Sequence, residues 1–250
     1  PIARSECSLE HMAFLLCRGG WPRAVGLDDE SALLQAPDYL DGVINSDVSR
    51  VDEKERNPRV ARALLRSYAR FSASQGKVTE MLADVNAQGV QASESTVRDY
   101  IRALEQIFVL EDLLAWNPNL RSKTAVRTAP TRHFVDPSIA AAALALGPGD
   151  LMADLNTFGL LFETMCLRDL RVYADALGGE VYHYRDRSGL EADAVIHLHN
   201  GAYGLVEVKL GGESLVDEGA KSLLSLRNKI DVSTTGSPSF LMVLTAVGDY

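Results

Sequence analysis

The sequence is poor in most features that mark a specialised class of protein. No apolar run approaches the ~20 residues that a membrane-spanning helix needs, so no membrane partner is expected. The opening, from Pro1 to Leu16, has no basic start, apolar core and small-residue cleavage site in succession, and therefore does not read as a secretory signal. It reads instead as a cut into a longer protein. There are only three cysteines, Cys7, Cys17 and Cys166, and none is spaced for zinc. An odd count suits a reducing compartment better than a disulfide framework, and the expected location is the cytoplasm. Basic residues are in the minority: 25 Lys and Arg against 34 Asp and Glu give a net charge of −9. That balance excludes an unspecific, all-over nucleic-acid binder, which needs clustered cations, but it permits a local groove or a metal that carries the positive charge. No phosphate-binding Gly-x-x-x-x-Gly-Lys-[Ser/Thr] occurs, since the one Gly-Lys pair, Gly76-Lys77, is followed by Val78. Ser-His-Asp, Cys-His and dinucleotide-binding patterns are also missing.

What remains is an ordinary globular composition, 46% hydrophobic and 24% charged, long enough for two or three small domains. Turn signals divide it into residues 1–57, 58–130 and 131–250. In the first segment a short apolar helix over Leu9–Cys17 precedes Gly19-Gly20-Trp21-Pro22, a turn expected to link the segment to whatever comes before it. A helical stretch over residues 29–49 follows. In the second, Asn57-Pro58 makes an N-cap and first helical position, and Val60, Leu64, Tyr68 and Phe71 lie on one stripe. A shorter stripe runs from Val78 to Val85. Ser93 caps a third helix that buries Val97, Ile101, Leu104 and Phe108. Val109–Trp116 reads as a strand, with a turn at Asn117-Pro118-Asn119. Three short helices and a β extension are the pattern of a winged helix-turn-helix. Over residues 59–116 seven basic residues meet seven acidic ones, a poor balance for a strong DNA reader, so the domain is equally readable as a packing or protein-contact module.

The third segment opens with a strand at residues 132–135 and an Ala-rich helix, ended by Gly147-Pro148-Gly149. Then come a helix (157–177), strands at 181–185, 192–199 and 203–210, a helix (215–229) and a strand (240–245). The fold class is therefore mixed α/β, with an α-β-β-β-α-β domain after a helical one. Glu163 stands among Leu160, Leu167 and Leu170 at helical spacing and is expected to point inward. An inward carboxylate calls for a proton, a cation or hydrogen bonds. Alternation places Asp193 on one face of its strand, and Glu207 and Lys209 together on one face of the next. Carboxylates that converge from a helix and two adjacent strands suit Mg²⁺ or Mn²⁺, with Glu163, Asp193 and Glu207 as ligands. Such a metal polarises a phosphodiester and lowers the pKa of a bound water, and Lys209 beside it can orient that water. Asp193, Glu207 and Lys209 are thus the candidate catalytic residues. The bland alternative is a structural ion pair of Lys209 with Glu207 or Asp193. Glu191 reads as a solvated strand-end charge, and His197 and His199 as an exposed strand end.

These residues carry a resemblance. Glu163, Asp193 in Glu191-Ala192-Asp193, and Glu207-Val208-Lys209 resemble the PD-(D/E)XK nuclease-like superfamily in motif and element order. More narrowly, Gly19-Gly20-Trp21-Pro22, Thr96–Ile101, His133–Asp136, Leu161-Phe162-Glu163 and Tyr184-Arg185 are similar to the C-terminal region of a prokaryotic AAA-type ATPase family, where a winged helix and a nuclease-like fold follow a P-loop module. The resemblance implies an N-terminal ATPase module as partner, DNA as a possible target, and either metal-dependent cleavage or a catalytically silent DNA- or protein-binding regulatory role. It says nothing of oligomeric state.

Overall fold

The computed structural model describes residues 7–117 and 129–248. Pro118 and Asn119 of the expected turn lie outside them. The chain divides into two compact units, and the division falls within one helix, between Thr164 and Met165.

Residues 10–112 and 132–164 make the helical unit. Its elements are α1 (Leu9–Arg18), α2 (Asp29–Leu33), α3 (Gln35–Gly42), a π turn (Val43–Asp47), α4 (Val48–Arg50), α5 (Pro58–Arg70), α6 (Val78–Ala87), α7 (Glu94–Gln106), α8 (Pro137–Leu144) and α9 (Pro148–Ala153). Helix α5 packs on α6 and α8, and α3 packs on α8. The stripe read from the sequence is the buried one: Val60, Leu64 and Tyr68 of α5 and Val97, Ile101 and Leu104 of α7 are all core. Phe108 departs from the expectation. It sits past the end of α7 at φ +56°, a left-handed turn that throws its ring out to 75% exposure.

Caps fall where side-chain chemistry predicts. Asn57 accepts from Arg59 N, and Ser93 Oγ accepts from Thr96 N at 3.2 Å. Replacing Ser93 with alanine is expected to cost about 1 kcal/mol of stability, read as a shift in the urea midpoint; no shift would mean that the cap is idle. The Ala-rich helix ends earlier than Gly147, because Ala145 takes the left-handed conformation at φ 57°. Pro148 starts α9 rather than stopping α8, since proline suits a first helical position.

Two polar clusters tie this unit together. Gly20 N donates to Asp136 Oδ2 at 2.9 Å, Ser138 N donates to Asp136 Oδ1, and Trp21 Nε1 donates to Ser138 Oγ at 2.9 Å. The Gly-Gly-Trp-Pro turn thus closes onto the start of α8 inside this unit. Asp99 of α7 binds Lys54 at 3.0 Å and the buried Arg56 at 2.9 Å. It thereby holds the segment before α5 against α7.

The other unit holds residues 165–248 and the described parts of 113–131. Helix α10 (Leu155–Ala176) leads into β1 (Gly179–Arg185), β2 (Glu191–Leu198), β3 (Tyr203–Lys209), α11 (Glu213–Lys229), α12 (Val232–Thr235) and β4 (Phe240–Thr245). Apart from the extra turn α12, this is the expected order. The sheet runs β1-β2-β3-β4, antiparallel except for the parallel β3–β4 pair. Parallel pairing needs a crossover, and α11 supplies it while covering one face of β2, β3 and β4. Under α11, Val195, Tyr203, Leu205, Leu223, Leu226 and Trp116 form the core. Phe158, Leu161 and Phe162 of α10 are buried, whereas Tyr173 near its end is 64% exposed.

The strand expected over Val109–Trp116 does not form a ladder. Within the helical unit Leu110 bridges Phe134; within the sheet unit Leu113 bridges Thr131 and Ala115 bridges His183 in β1. A segment that changes partner every two or three residues cannot propagate regular pairing. Among the described residues, no helix is long and apolar enough to cross a membrane.

Candidate metal centre

Strand β3 reads Tyr-Gly-Leu-Val-Glu-Val-Lys, and every residue before Lys209 is buried. A central strand covered on both sides normally carries only apolar side chains. Glu207 breaks that rule at 3% exposure, on the face that Tyr203 and Leu205 present to α11. Burial of a carboxylate demands partners, and two are at hand. Lys209 Nζ lies 2.8 Å from Glu207 Oε2, and Ser222 Oγ of α11 donates to Glu207 Oε1 at 3.3 Å. The same hydroxyl lies 3.2 Å from the Glu191 carbonyl. One turn earlier on α11 stands Gly219, where an added methyl would lie 3.4 Å from Glu207 Cβ and from the Val243 side chain. A bare backbone at this point lets the helix sit close over the acid.

Asp193 reaches the same place from β2. The β2–β3 pairing runs from His197↔Tyr203 to Ala194↔Val206 and ends there. At the next step the side chain takes over from the backbone: Val208 N donates to Asp193 Oδ2 at 2.7 Å. The backbone ladder stops at this point, and the Asp193 and Glu207 carboxyl groups lie close enough to feel each other's charge.

The electrostatics follow from that crowding. Burial raises the affinity of Asp193 for its proton, against the opposing pull of the Val208 N–H and the Lys209 charge. Burial and then the neighbouring Asp193 charge push Glu207 up to about 7, with Lys209 again opposing. For Lys209 burial works against the charged form, but the hydrogen bond to Glu207 and the charges of Glu207, Asp193 and Glu218 outweigh it, so its ammonium is held above the ordinary value. Two acids and one lysine, all three drawn inward, are short of positive charge when both acids ionise.

Asp193, Glu207 and Lys209 are therefore brought together as their spacing predicts. Glu163 is half-buried in the first part of α10, which belongs to the helical unit, so the grouping described here is the other three. Among the described residues, no group of three or more His, Cys, Asp and Glu side chains is gathered to hold a metal ion. The Asp193–Glu207 pair still matches the chemistry of a Mg²⁺ site, because that ion is often held by one or two carboxylates, with waters and substrate phosphate completing an octahedron. The two hard, mutually repelling oxygen groups are the observation that fits it.

The other residues singled out in the sequence have ordinary partners. Glu191 faces Arg185 at 3.6 Å, with both side chains about half exposed. Tyr184 and His197 pack edge-on against the Trp116 ring. His183 is buried with Nε2 at 3.2 Å from the Ala129 carbonyl, and burial pulls it down to about 4, so it stays neutral near pH 7. Sequence reasoning missed Ser222, Gly219 and the Val208 N–H. The run Gly219-Ala220 with Ser222, three small residues on a helix that faces a strand acid, was the available signal.

Comparison with known families gives two matches, one to each side of residues 151–157. Residues 9–150 match the family described as Domain of unknown function (DUF8612), and residues 158–246 match Domain of unknown function (DUF4143). The second family is commonly found C-terminal to AAA ATPases, the association expected from the sequence. No curated protein and no solved structure matches this chain.

Proposed function

The chain belongs to the DUF8612 family, which matches more than half of it, and from that premise we propose that its sheet unit is a nuclease-like module of an ATPase-associated protein. In this reading Asp193 and Glu207 hold Mg²⁺ or Mn²⁺, and Lys209 orients the attacking water at a DNA phosphodiester. Neither family has an assigned activity, so the reading rests on the site. The single observation that carries it is a pair of inward carboxyl groups on adjacent strands, Asp193 held by the Val208 N–H and Glu207 buried against Lys209, where the β2–β3 ladder ends. The metal, when bound, supplies Lewis-acid polarisation of the phosphate and a more acidic water. The chain's own groups do the rest. Asp193 and Glu207 offer hard oxygens from fixed strands, Val208 N–H fixes the Asp193 carboxylate, and Ser222 steadies Glu207. Lys209 brings a proton donor and positive charge to the same opening.

A second reading has its own support. The Lys209–Glu207 ion pair and the Asp193–Val208 bond together satisfy much of the cluster internally, as a catalytically silent DNA- or protein-binding regulatory module would retain. Metal titration separates the two. Mg²⁺ or Mn²⁺ is expected to raise the melting temperature of the wild type but not of Asp193→Asn or Glu207→Gln. Lys209→Ala is expected to keep that metal response while losing cleavage of DNA in manganese. If no metal response appears and DNA survives, the enzymatic reading fails. Equal loss of metal response and cleavage in Lys209→Ala would contradict the role given to the lysine.

A further inference from the structure

We propose that β4 is a docking edge for a second copy of this chain: two β4 strands pair antiparallel about a twofold axis and join two four-stranded sheets into one.

Strand β4 ends its sheet, and β3 occupies only one of its sides. About half of its backbone N–H and C=O groups therefore point away from β3. Among the described residues nothing pairs with them. Natural sheets blunt such an edge with lysine, proline or a bulge. Here the strand reads Phe-Leu-Met-Val-Leu-Thr, in regular register against β3, and has none of these. Every residue of it stays at least partly exposed, and Phe240 is 41% exposed. The opposite edge of the sheet differs. There Trp116 N donates to His183 O at 2.6 Å and His183 N donates to Leu114 O at 2.9 Å, so the free side of β1 is covered. One covered edge and one bare edge let the sheet add a single neighbour and then stop, which is a closed twofold pair.

Charge selects the occupant. A net charge of −9 keeps copies of the chain apart over most of the surface. Residues 232–248, however, contain no Asp, Glu, Lys, Arg or His. Two copies meet here without opposing charges, whereas an acidic or basic peptide would find no countercharge on the strand. The geometry agrees. Antiparallel pairing sets residues of like orientation opposite each other, so the axis passes through a residue rather than between two. Met242 and Val243 are the central ones. About Met242, Phe240 faces Leu244 and Leu241 faces Val243. Leu241 and Val243 already pack on the core under α11, and the joined sheet continues that core across the axis. Helix α11 is prepared for this. Ser222 marks its β2 side, with Oγ 3.2 Å from the Glu191 carbonyl. Leu224, about 200° further round the helix, stands on the other flank, toward the bare edge, at 42% exposure. One such leucine from each copy faces the other across the axis.

Sedimentation of the full chain over a concentration series tests the pairing. Wild type is expected to approach twice 27.2 kDa as concentration rises. Met242→Lys, which sets like charges at the axis, is expected to stay at 27.2 kDa. Leu224→Glu, at an exposed helix position, is expected to weaken association by about tenfold through the lost burial of one leucine. Circular dichroism of each variant checks that the fold persists, and if Met242→Lys does not fold, the other variants decide. Under mild oxidation Met242→Cys or Val243→Cys, whichever lies on the axis, is expected to form a disulfide-linked dimer that wild type does not form, because facing Cα atoms in such a pair are about 4.5–5.5 Å apart. The proposal is overturned if wild type remains at 27.2 kDa at every concentration or grows into open-ended aggregates. It is equally overturned if a dimer persists in both Met242→Lys and Leu224→Glu and neither cysteine variant links.

Discussion

Replacing Gly19 with alanine is expected to lower the unfolding free energy by about 3–5 kcal/mol, among the largest effects a single methyl can have. Two costs add. Gly19 sits at φ +76°, where a side chain costs about 1–2 kcal/mol. The new methyl would also lie 2.6 Å from Trp21 Nε1 and 2.7 Å from Asp136 Oδ1, and closer still to Ser138 Oγ. Those atoms are the ends of side chains, but none is free to retreat. Trp21 Nε1 donates to Ser138 Oγ, Ser138 N donates to Asp136, and Asp136 also receives Gly20 N. Making room breaks hydrogen bonds worth about 1 kcal/mol each and strands partly buried polar groups, which costs more. Urea unfolding of wild type and variant checks this; a loss under about 1 kcal/mol would mean that the latch is not a cooperative unit.

The second large effect is a dependence on pH. Glu207 has an ordinary value of 4.5 when the chain is unfolded and about 7 when folded. Between those values the folded chain keeps a proton that the unfolded chain releases, so stability falls as pH rises. The contribution is complete below pH 4.5, declines through the window and is gone above about 7. It amounts to about 3 kcal/mol at most. Glutamine imitates the protonated acid and has no such slope. Compared in EDTA, Glu207→Gln is therefore expected to gain on wild type by up to about 3 kcal/mol between pH 4.5 and pH 8. Carboxylates remote from Glu207 titrate in both proteins and cancel in the difference, and Asp193, which feels the Glu207 charge, adds to the same slope in wild type. A constant difference across this range, or one that favours wild type at high pH, would show that Glu207 is not a burdened acid.

Much of this was legible in the residues. Helical spacing located α5 and α7 with their buried faces, because period and cap chemistry agreed: Asn57-Pro58 and Ser93 each mark a start that the structure uses. In the sheet unit, alternation in Tyr203–Lys209 gave both the strand and the face carrying Glu207 and Lys209. The pairing of Asp193 with Val208 was not legible. It depends on where a ladder stops, and that is decided by the geometry of three strands rather than by any one of them. The Gly19–Asp136 latch was hidden for a related reason. Its two halves stand 117 residues apart, and each alone reads as an ordinary turn or cap. The Asp99 pairs were hidden likewise: alone it is an ordinary helix charge, but the structure supplies Arg56 and Lys54 from a segment with no periodicity to announce them.

Asp193 serves two masters, and this shapes how the chain could change over time. Its carboxylate closes the seam between β2 and β3 as well as facing Glu207. Asparagine could still accept the Val208 N–H through its amide oxygen, whereas alanine would leave that donor bare and let the seam open. At position 193 the tolerated replacement is therefore the one that keeps an acceptor for that donor, whatever else the side chain faces.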